Sequence, residues 1–282
     1  MNTIERSAYG KINIGLRITG KRADSYHSLE TLFLPIELHD ELVLERGGLW
    51  APPFGREDLM SRAKGALEGV LGRDFEVSVS LKKGIPLAAG LAGGTADGAA
   101  LLWALVELFQ LEPPLPLEEI ARPLGADFAY MTFLQGGNFA PVLGRGIGDE
   151  LEPLKEVAPV PLILINPGFG ISTPEAYRHW ERAEGHYDPL RAHQLLLARD
   201  YGALGEVVVN DLATYIKRAH PQVREMEEAL YREGAAFAQM TGSGPTVYGI
   251  FSTPLERDRA YEKLRDKYPT VIRTTGGGRG CI

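Results

Sequence analysis

Cysteine is all but missing from this 282-residue chain. The single Cys281 has no second thiol to meet, so no intramolecular disulfide forms and a reducing, cytoplasmic setting is expected. A run of about 18 apolar residues is missing too, which leaves no candidate for a helical membrane span. The opening MNTIERSAYGKINIGL lacks the charged, then apolar, then small order of a secretion signal. There is no basic excess: 30 Lys and Arg against 37 Asp and Glu give a net charge of −7. That balance argues against non-specific nucleic-acid binding, although a local pocket could still hold phosphates. Repeats and low-complexity segments are absent as well.

What is present is an ordinary globular composition, 44% hydrophobic and 24% charged, with ample core for one large or two medium domains. Alternation predicts strands at 8–18, 27–38, 40–46 and 75–81. Helical spacing predicts a helix over 57–72 closed by Gly72, and one over 96–110 that is apolar nearly all round and therefore buried. Two short helices broken at 123–125 and a hairpin through GGNFAPV and LGRGIGDEL come next, then a Pro-punctuated entry into a strand over 156–168. The pattern continues with helices at 174–184, 190–199 and 221–233. A strand–turn–strand over 235–251, a helix at 254–267 and a last strand near 270–274 complete it. These elements do not alternate as βαβ units, so the class is α+β. The boundary falls near 153–161, dividing 1–155 from 156–282.

Two stretches compete as phosphate loops. GLRITGKR (15–22) matches seven of eight P-loop positions, but Arg22 stands where a hydroxyl is needed and a polar turn into a strand follows instead of a helix. PLAAGLAGGTADGAA (86–100) follows a strand and enters a long helix, with Thr95 placed to cap it. Its glycines free backbone N–H groups beside the positive end of that helix, a socket for an anion. Taken alone it is as easily a bare strand-to-helix turn. However, a second glycine turn, MTGSGPTVYGIF (240–251), and a first strand carrying Lys11 and Asn13 on one face accompany it.

Together these three stretches resemble the GHMP kinase superfamily. YGKINIGLRITGKRADSYHSLETLF (9–33), LGADFAYMTFLQG (124–136) and NPGFGISTPEAY (166–177) are similar to one branch, the 4-diphosphocytidyl-2-C-methyl-D-erythritol kinases. The resemblance spans nearly the whole chain. It implies a two-domain fold: an N-terminal half like ribosomal protein S5, a C-terminal ferredoxin-like α/β plait, and a site in the cleft. It implies transfer of the ATP γ-phosphoryl to the 2-hydroxyl of a cytidine-diphosphate sugar alcohol, with Mg2+ offsetting phosphate charge. Asp127 matches the catalytic base, set after Gly125 at a helix start, and Lys11 would sit near it and steady charge on the transferring group.

By the same resemblance, ATP lies along Pro86, Leu87, Ala88, Ala89, Gly90, Leu91, Ala92, Gly93, Gly94, Thr95 and Ala96. Cytosine stacks between Tyr26 and Tyr177 with His27 reading its edge, while Asn13 and Thr173 reach the sugar alcohol. Gly242 and Gly244 bring the second turn against the substrate phosphates or the cleft wall. No dedicated metal ligand is expected. Without the resemblance, Asp127 reads as a helix cap, Lys11 as a solvated strand residue, His27 as a turn histidine and Tyr177 as core.

The chain departs from the family pattern at several positions. Ala88 and Ala92 replace loop glycines, Thr95 and Ala96 replace two serines, Ser25 replaces a glycine, and Asp58 stands where an adenine-contacting Asn belongs. Three alternatives remain: a homoserine or mevalonate type of kinase, a catalytically silent nucleotide-binding relative, and an RNA-binding module. The Tyr and His residues, the retained Lys11 and Asp127, and the acidic balance argue against them in turn. A monomer or homodimer acting on a small molecule is expected.

Overall fold

The chain begins with two long paired strands, β1 (Thr3–Lys21) and β2 (His27–Arg46). The computed structural model describes residues 2–24, 26–53, 55 and 58–278, so Ser25 and Cys281 lie outside the described residues. Two units interleave along the chain. One comprises 1–10, 38–87 and 92–138, and the other 11–37, 88–91 and 139–282.

In the first unit the end of β2 pairs antiparallel with β3 (Val77–Lys82), from Glu41 opposite Lys82 to Arg46 opposite Val77. Helices α1 (Leu59–Leu71), α2 (Gly93–Phe109), α3 (Leu117–Ala121) and α4 (Phe128–Gln135) complete it. Gly72 closes α1 in the left-handed region at φ 61°, the conformation that a glycine at this position adopts without strain. Most of α2 is buried, including Leu101, Leu102, Leu105 and Leu108, as its all-round apolar pattern requires.

The second unit is built on one antiparallel sheet, ordered β5 (Glu150–Pro153), β4 (Val142–Arg145), β2, β9 (Thr270–Gly276), β6 (Val160–Asn166), β8 (Val247–Ile250) and β7 (Phe237–Met240). Its helices are α5 (Thr173–Arg178), α6 (Pro189–Ala198), α7 (Asp211–Ala219), α8 (Pro221–Arg232) and α9 (Pro254–Leu264). Leu212, Ile216, Val223, Met226, Leu230 and Leu264 from these helices share one core with Ile163, Ile165, Met240 and Val247 from the sheet. The fold is α+β, as expected.

Four local expectations change. β2 is one strand where two were expected: it runs through His39, and Asp40 next to it is buried and bonded rather than solvated. The second phosphate-loop helix starts at Gly93, with Ala92 at its N-cap, so Thr95 lies in the first turn and does not cap it. The helix expected over 174–184 ends at Arg178. There the backbone is drawn off by tertiary bonds: Arg17 donates to the Ala183 and Gly185 carbonyls, and Ala183 N donates to Asp211. Helix α7 was not expected. Residues 15–21 lie inside β1, which leaves no helix for a P-loop there.

Candidate active site

Lys11 and Asn13 lie on one face of β1, and both are buried. The Lys11 ammonium donates to Asn13 Oδ1 (2.8 Å) and to the Gly90 carbonyl (3.3 Å). Asn13 is fixed on its remaining sides. Its Nδ2 donates to Thr31 Oγ1 (2.9 Å) and its backbone N–H to Thr241 Oγ1 (2.8 Å). A buried cation held this way keeps its direction, because each neighbour is itself anchored.

The second glycine turn is anchored just as firmly. Asn210 donates its amide hydrogens to the carbonyls of Met240 and Gly242, both at 2.9 Å. Gly242 and Gly244 sit at φ 53° and 77°, where a side chain would be strained. A Cβ on Gly90 would fall 2.9 Å from the carbonyl oxygens of both Gly244 and Thr241. Only a bare backbone fits at residue 90, so the 88–91 segment and the 241–244 turn approach main chain to main chain. Lys11 N–H also donates to the Leu91 carbonyl (3.2 Å).

The rest of the loop shows what its substitutions do. Ala88 and Ala92, which replace glycines of the pattern, both take left-handed backbone, at φ 49° and 59°. Each carries the steric cost that a glycine avoids, about 1–2 kcal/mol. Ala89, Leu91 and Ala96 are buried; Leu87, Ala88 and Gly94 are exposed; Pro86, Ala92, Gly93 and Thr95 are half-buried.

The aromatic residues gather around His27. Its ring stacks on Tyr177 (centroids 5.6 Å apart, 24° between planes) and meets Trp180 edge-on at 6.1 Å. Tyr26 beside it is 57% exposed. Burial, and then the charge of Lys21, hold the His27 imidazolium below its ordinary pKa, so the neutral ring offers one donor and one acceptor at pH 7. Thr173 at the start of α5 shares a 3.0 Å hydrogen bond with Ser243 of the glycine turn.

Asp127 belongs to the other unit and is the residue immediately before α4, half-buried, with Tyr130 near its charge. Asp58, in the same unit, caps α1 by accepting from Ser61 N (2.7 Å), and its Oδ2 is buried without a hydrogen bond.

The structure thus brings Lys11, Asn13, Gly90, Gly242 and Gly244 into one group, and His27 and Tyr177 into another. Sequence reasoning missed Thr31, Thr241 and Asn210, which hold the first group, and Trp180, which walls the second. Their bonds join residues such as Asn13 and Thr241 that are far apart along the chain, so no local pattern announces them. No group of three or more His, Cys, Asp or Glu is arranged to hold a metal among the described residues. No helix among them is long and apolar enough to cross a membrane.

Two family models match the chain: GHMP kinases N terminal domain over residues 58–138, and GHMP kinases C terminal over residues 192–270. Fold and family models define a GHMP kinase, a class that uses ATP. The chain is 37% identical over 289 aligned residues to 4-diphosphocytidyl-2-C-methyl-D-erythritol kinase of Moorella thermoacetica, covering 97% of this chain and 99% of that one. A crystal structure of 4-(cytidine 5'-diphospho)-2C-methyl-D-erythritol kinase superposes with a TM-score of 0.83 at 35% identity, covering 98% and 100% of the two chains. Homoserine kinase from Cytophaga hutchinsonii shares the fold, with a TM-score of 0.67 at 15% identity over 99% and 96%. The chain therefore belongs to the family of 4-diphosphocytidyl-2-C-methyl-D-erythritol kinases.

Proposed function

We propose that this chain transfers the γ-phosphoryl of ATP to the 2-hydroxyl of 4-diphosphocytidyl-2-C-methyl-D-erythritol, giving the 2-phosphate and ADP. This is a step of the non-mevalonate route to isoprenoid precursors. The observation that carries the reading is the buried Lys11, fixed by Asn13 and the Gly90 carbonyl beside two bare-backbone glycine segments. A family match over almost the whole chain stands behind it.

Phosphoryl transfer is mostly positioning and charge stabilisation. The loop from Pro86 to Ala96 runs into the N-terminus of α2, where unpaired N–H groups and the helix dipole favour a polyphosphate. Lys11 steadies negative charge on the transferring group, and Asp127 takes the proton of the attacking hydroxyl. Mg2+, when bound with the nucleotide, would offset the charge of the phosphates.

His27 and Tyr177, with Tyr26 exposed beside them, offer flat faces and a hydrogen-bonding edge for cytosine. Asn13 and Thr173 serve the sugar alcohol, while Gly242 and Gly244 let the second turn approach the phosphates. Residues 1–155 and 156–282 form the two functional halves, and the family matches at 58–138 and 192–270 fall on either side of that division. The protein works in the cytoplasm as a monomer or homodimer on a small molecule, without nucleic acid or membrane.

The test is ADP release with Mg-ATP and this acceptor, with product mass and the phosphorylated position read by phosphorus NMR. Product carrying phosphate on the 2-hydroxyl, lost in Asp127→Asn, supports the reading. Absence of product with wild-type protein overturns it.

A further inference from the structure

A separate cluster lies in the first unit, at the two ends of the phosphate loop. Asp40, fully buried in the middle of β2, accepts from Gly84 N (2.6 Å) and Ile85 N (2.8 Å) through Oδ1 and from the Lys83 ammonium through Oδ2. Lys83 also donates to Asp97 Oδ2 at 2.7 Å. Asp97 lies in the second turn of α2, and its side chain is 3% exposed. Its other oxygen, Oδ1, is buried without a hydrogen bond. One ammonium therefore ties the segment that enters the loop (83–85) to the helix that leaves it. The cluster also reaches the loop itself, since a Cβ on Gly93 would lie 3.4 Å from Lys83 Nζ and 2.9 Å from Ile85 Cγ2.

The charges do not cancel. Two buried carboxylates share one cation, which leaves one excess negative charge beside the place where a polyphosphate is to bind. A bound polyphosphate raises the cost of that charge, and the simplest relief is a proton on Asp97.

We propose that Asp40, Lys83 and Asp97 form a clasp that positions the phosphate loop for ATP, and that the clasp takes up a proton from solvent onto Asp97 when the polyphosphate binds. Lys83 and Asp97 are thus positioning residues, acting on the nucleotide through the loop.

The groups around the clasp fit this assignment. Among the described residues, the charged groups that act on Asp97 are Asp40 from β2 and Lys83 from the segment after β3. The neighbouring helices bring no charged side chain to the two glycines beside Asp97 on α2: Leu59 Cδ1 of α1 lies at the Cβ position of Gly94, and the Leu59 carbonyl oxygen and the Phe128 ring of α4 lie at that of Gly98. Burial, and then the charge of Asp40, push the Asp97 carboxyl up to about 7 against the pull of Lys83, so it is poised to exchange a proton near neutral pH. A proton on Asp97 also supplies a hydrogen bond between the two carboxyl groups, which lie within reach of each other. Asparagine at 97 mimics that protonated state in being neutral at the same size.

The proposal rests on the nucleotide reading of the loop, and the experiment separates the two. Mg-ATP is titrated calorimetrically into wild-type protein at pH 7.5, in two buffers of different ionisation enthalpy. Wild type is expected to take up about half a proton per ATP, and Asp97→Asn none. KM for ATP in wild type should rise about tenfold from pH 6.5 to 8.5 with kcat nearly unchanged, and stay flat in Asp97→Asn. Lys83→Met should lose ATP affinity at every pH, and Lys83→Arg should restore most of it. ATP binding without proton uptake, or equal uptake in Asp97→Asn, overturns the clasp and leaves the kinase reading standing. Wild-type protein that does not bind Mg-ATP overturns both. A fall in kcat and melting temperature with unchanged pH dependence of KM marks Asp97 as structural only and also overturns the proposal.

Discussion

Thr241 Oγ1 accepts the backbone N–H of Asn13 at 2.8 Å, joining the first strand of the chain to a turn 228 residues later. Thr241 and Asn13 are both buried, so no water replaces the bond if it is lost. Thr241→Val keeps the shape and removes the acceptor. The variant should lose about 1–3 kcal/mol of stability, the cost of an unpaired buried donor, read from urea denaturation. Turnover should fall with it, because Asn13 in turn holds Lys11.

Gly90 tests the close approach of the loop. At φ 76°, with carbonyl oxygens of Gly244 and Thr241 only 2.9 Å from the Cβ position, alanine must push one backbone away from the other. Gly90→Ala should weaken Mg-ATP binding at least tenfold in a folded protein, measured by calorimetry.

Ala88 and Ala92 predict the opposite sign. Both adopt left-handed backbone that glycine takes without strain. Ala88→Gly and Ala92→Gly should each stabilise the protein by about 1 kcal/mol, the relief of that strain less the entropy a new glycine loses. The expected readout is a higher melting temperature.

Asp97 gives a pH-dependent stability. The folded chain holds a proton on Asp97 up to about pH 7, while the unfolded chain releases it near the ordinary value of 3.8. Stability is therefore lost as pH rises from about 4 to about 7, and the loss is complete above that range. Asp97→Asn escapes this loss. It should melt roughly 5–10 °C above wild type at pH 8, with the gap narrowing toward zero at pH 4, by thermal scans across that range.

The parts of the fold legible in the sequence are those set by local pattern. Gly72 ends α1 where its position foretells, and α2 is buried because its apolar residues leave no polar face. The two glycine turns stand out because glycine clusters are rare without a backbone reason. What pattern reading misses is decided at a distance. His39 looks like a break between two strands, yet Asp40 beside it is held by Lys83 and the N–H groups of Gly84 and Ile85 within one strand. The 174–184 helix ends early because Arg17 and Asp211, remote in sequence, hold the 183–185 backbone. Helix α7 is a miss of another kind. Asn210 caps it and Leu212, Ala213 and Ile216 form its buried stripe, signals that were present but short and set among polar residues.

The site divides in the same way. Lys11 and Asn13 are visible as a pair two residues apart on one strand. The bonds that fix their direction, to Thr31, Thr241 and Gly90, appear only in the fold. Likewise, His27 and Tyr177 are separate motifs in the sequence, and their stacking requires the tertiary structure.

The most direct test of the central claim is a comparison of kcat/KM, with saturating Mg-ATP, for 4-diphosphocytidyl-2-C-methyl-D-erythritol, homoserine and mevalonate on the same preparation. The account predicts that the cytidyl substrate exceeds the other two by at least about a thousandfold, because neither small acceptor carries a base for the His27–Tyr177 group. Equal or higher turnover of homoserine or mevalonate would contradict it.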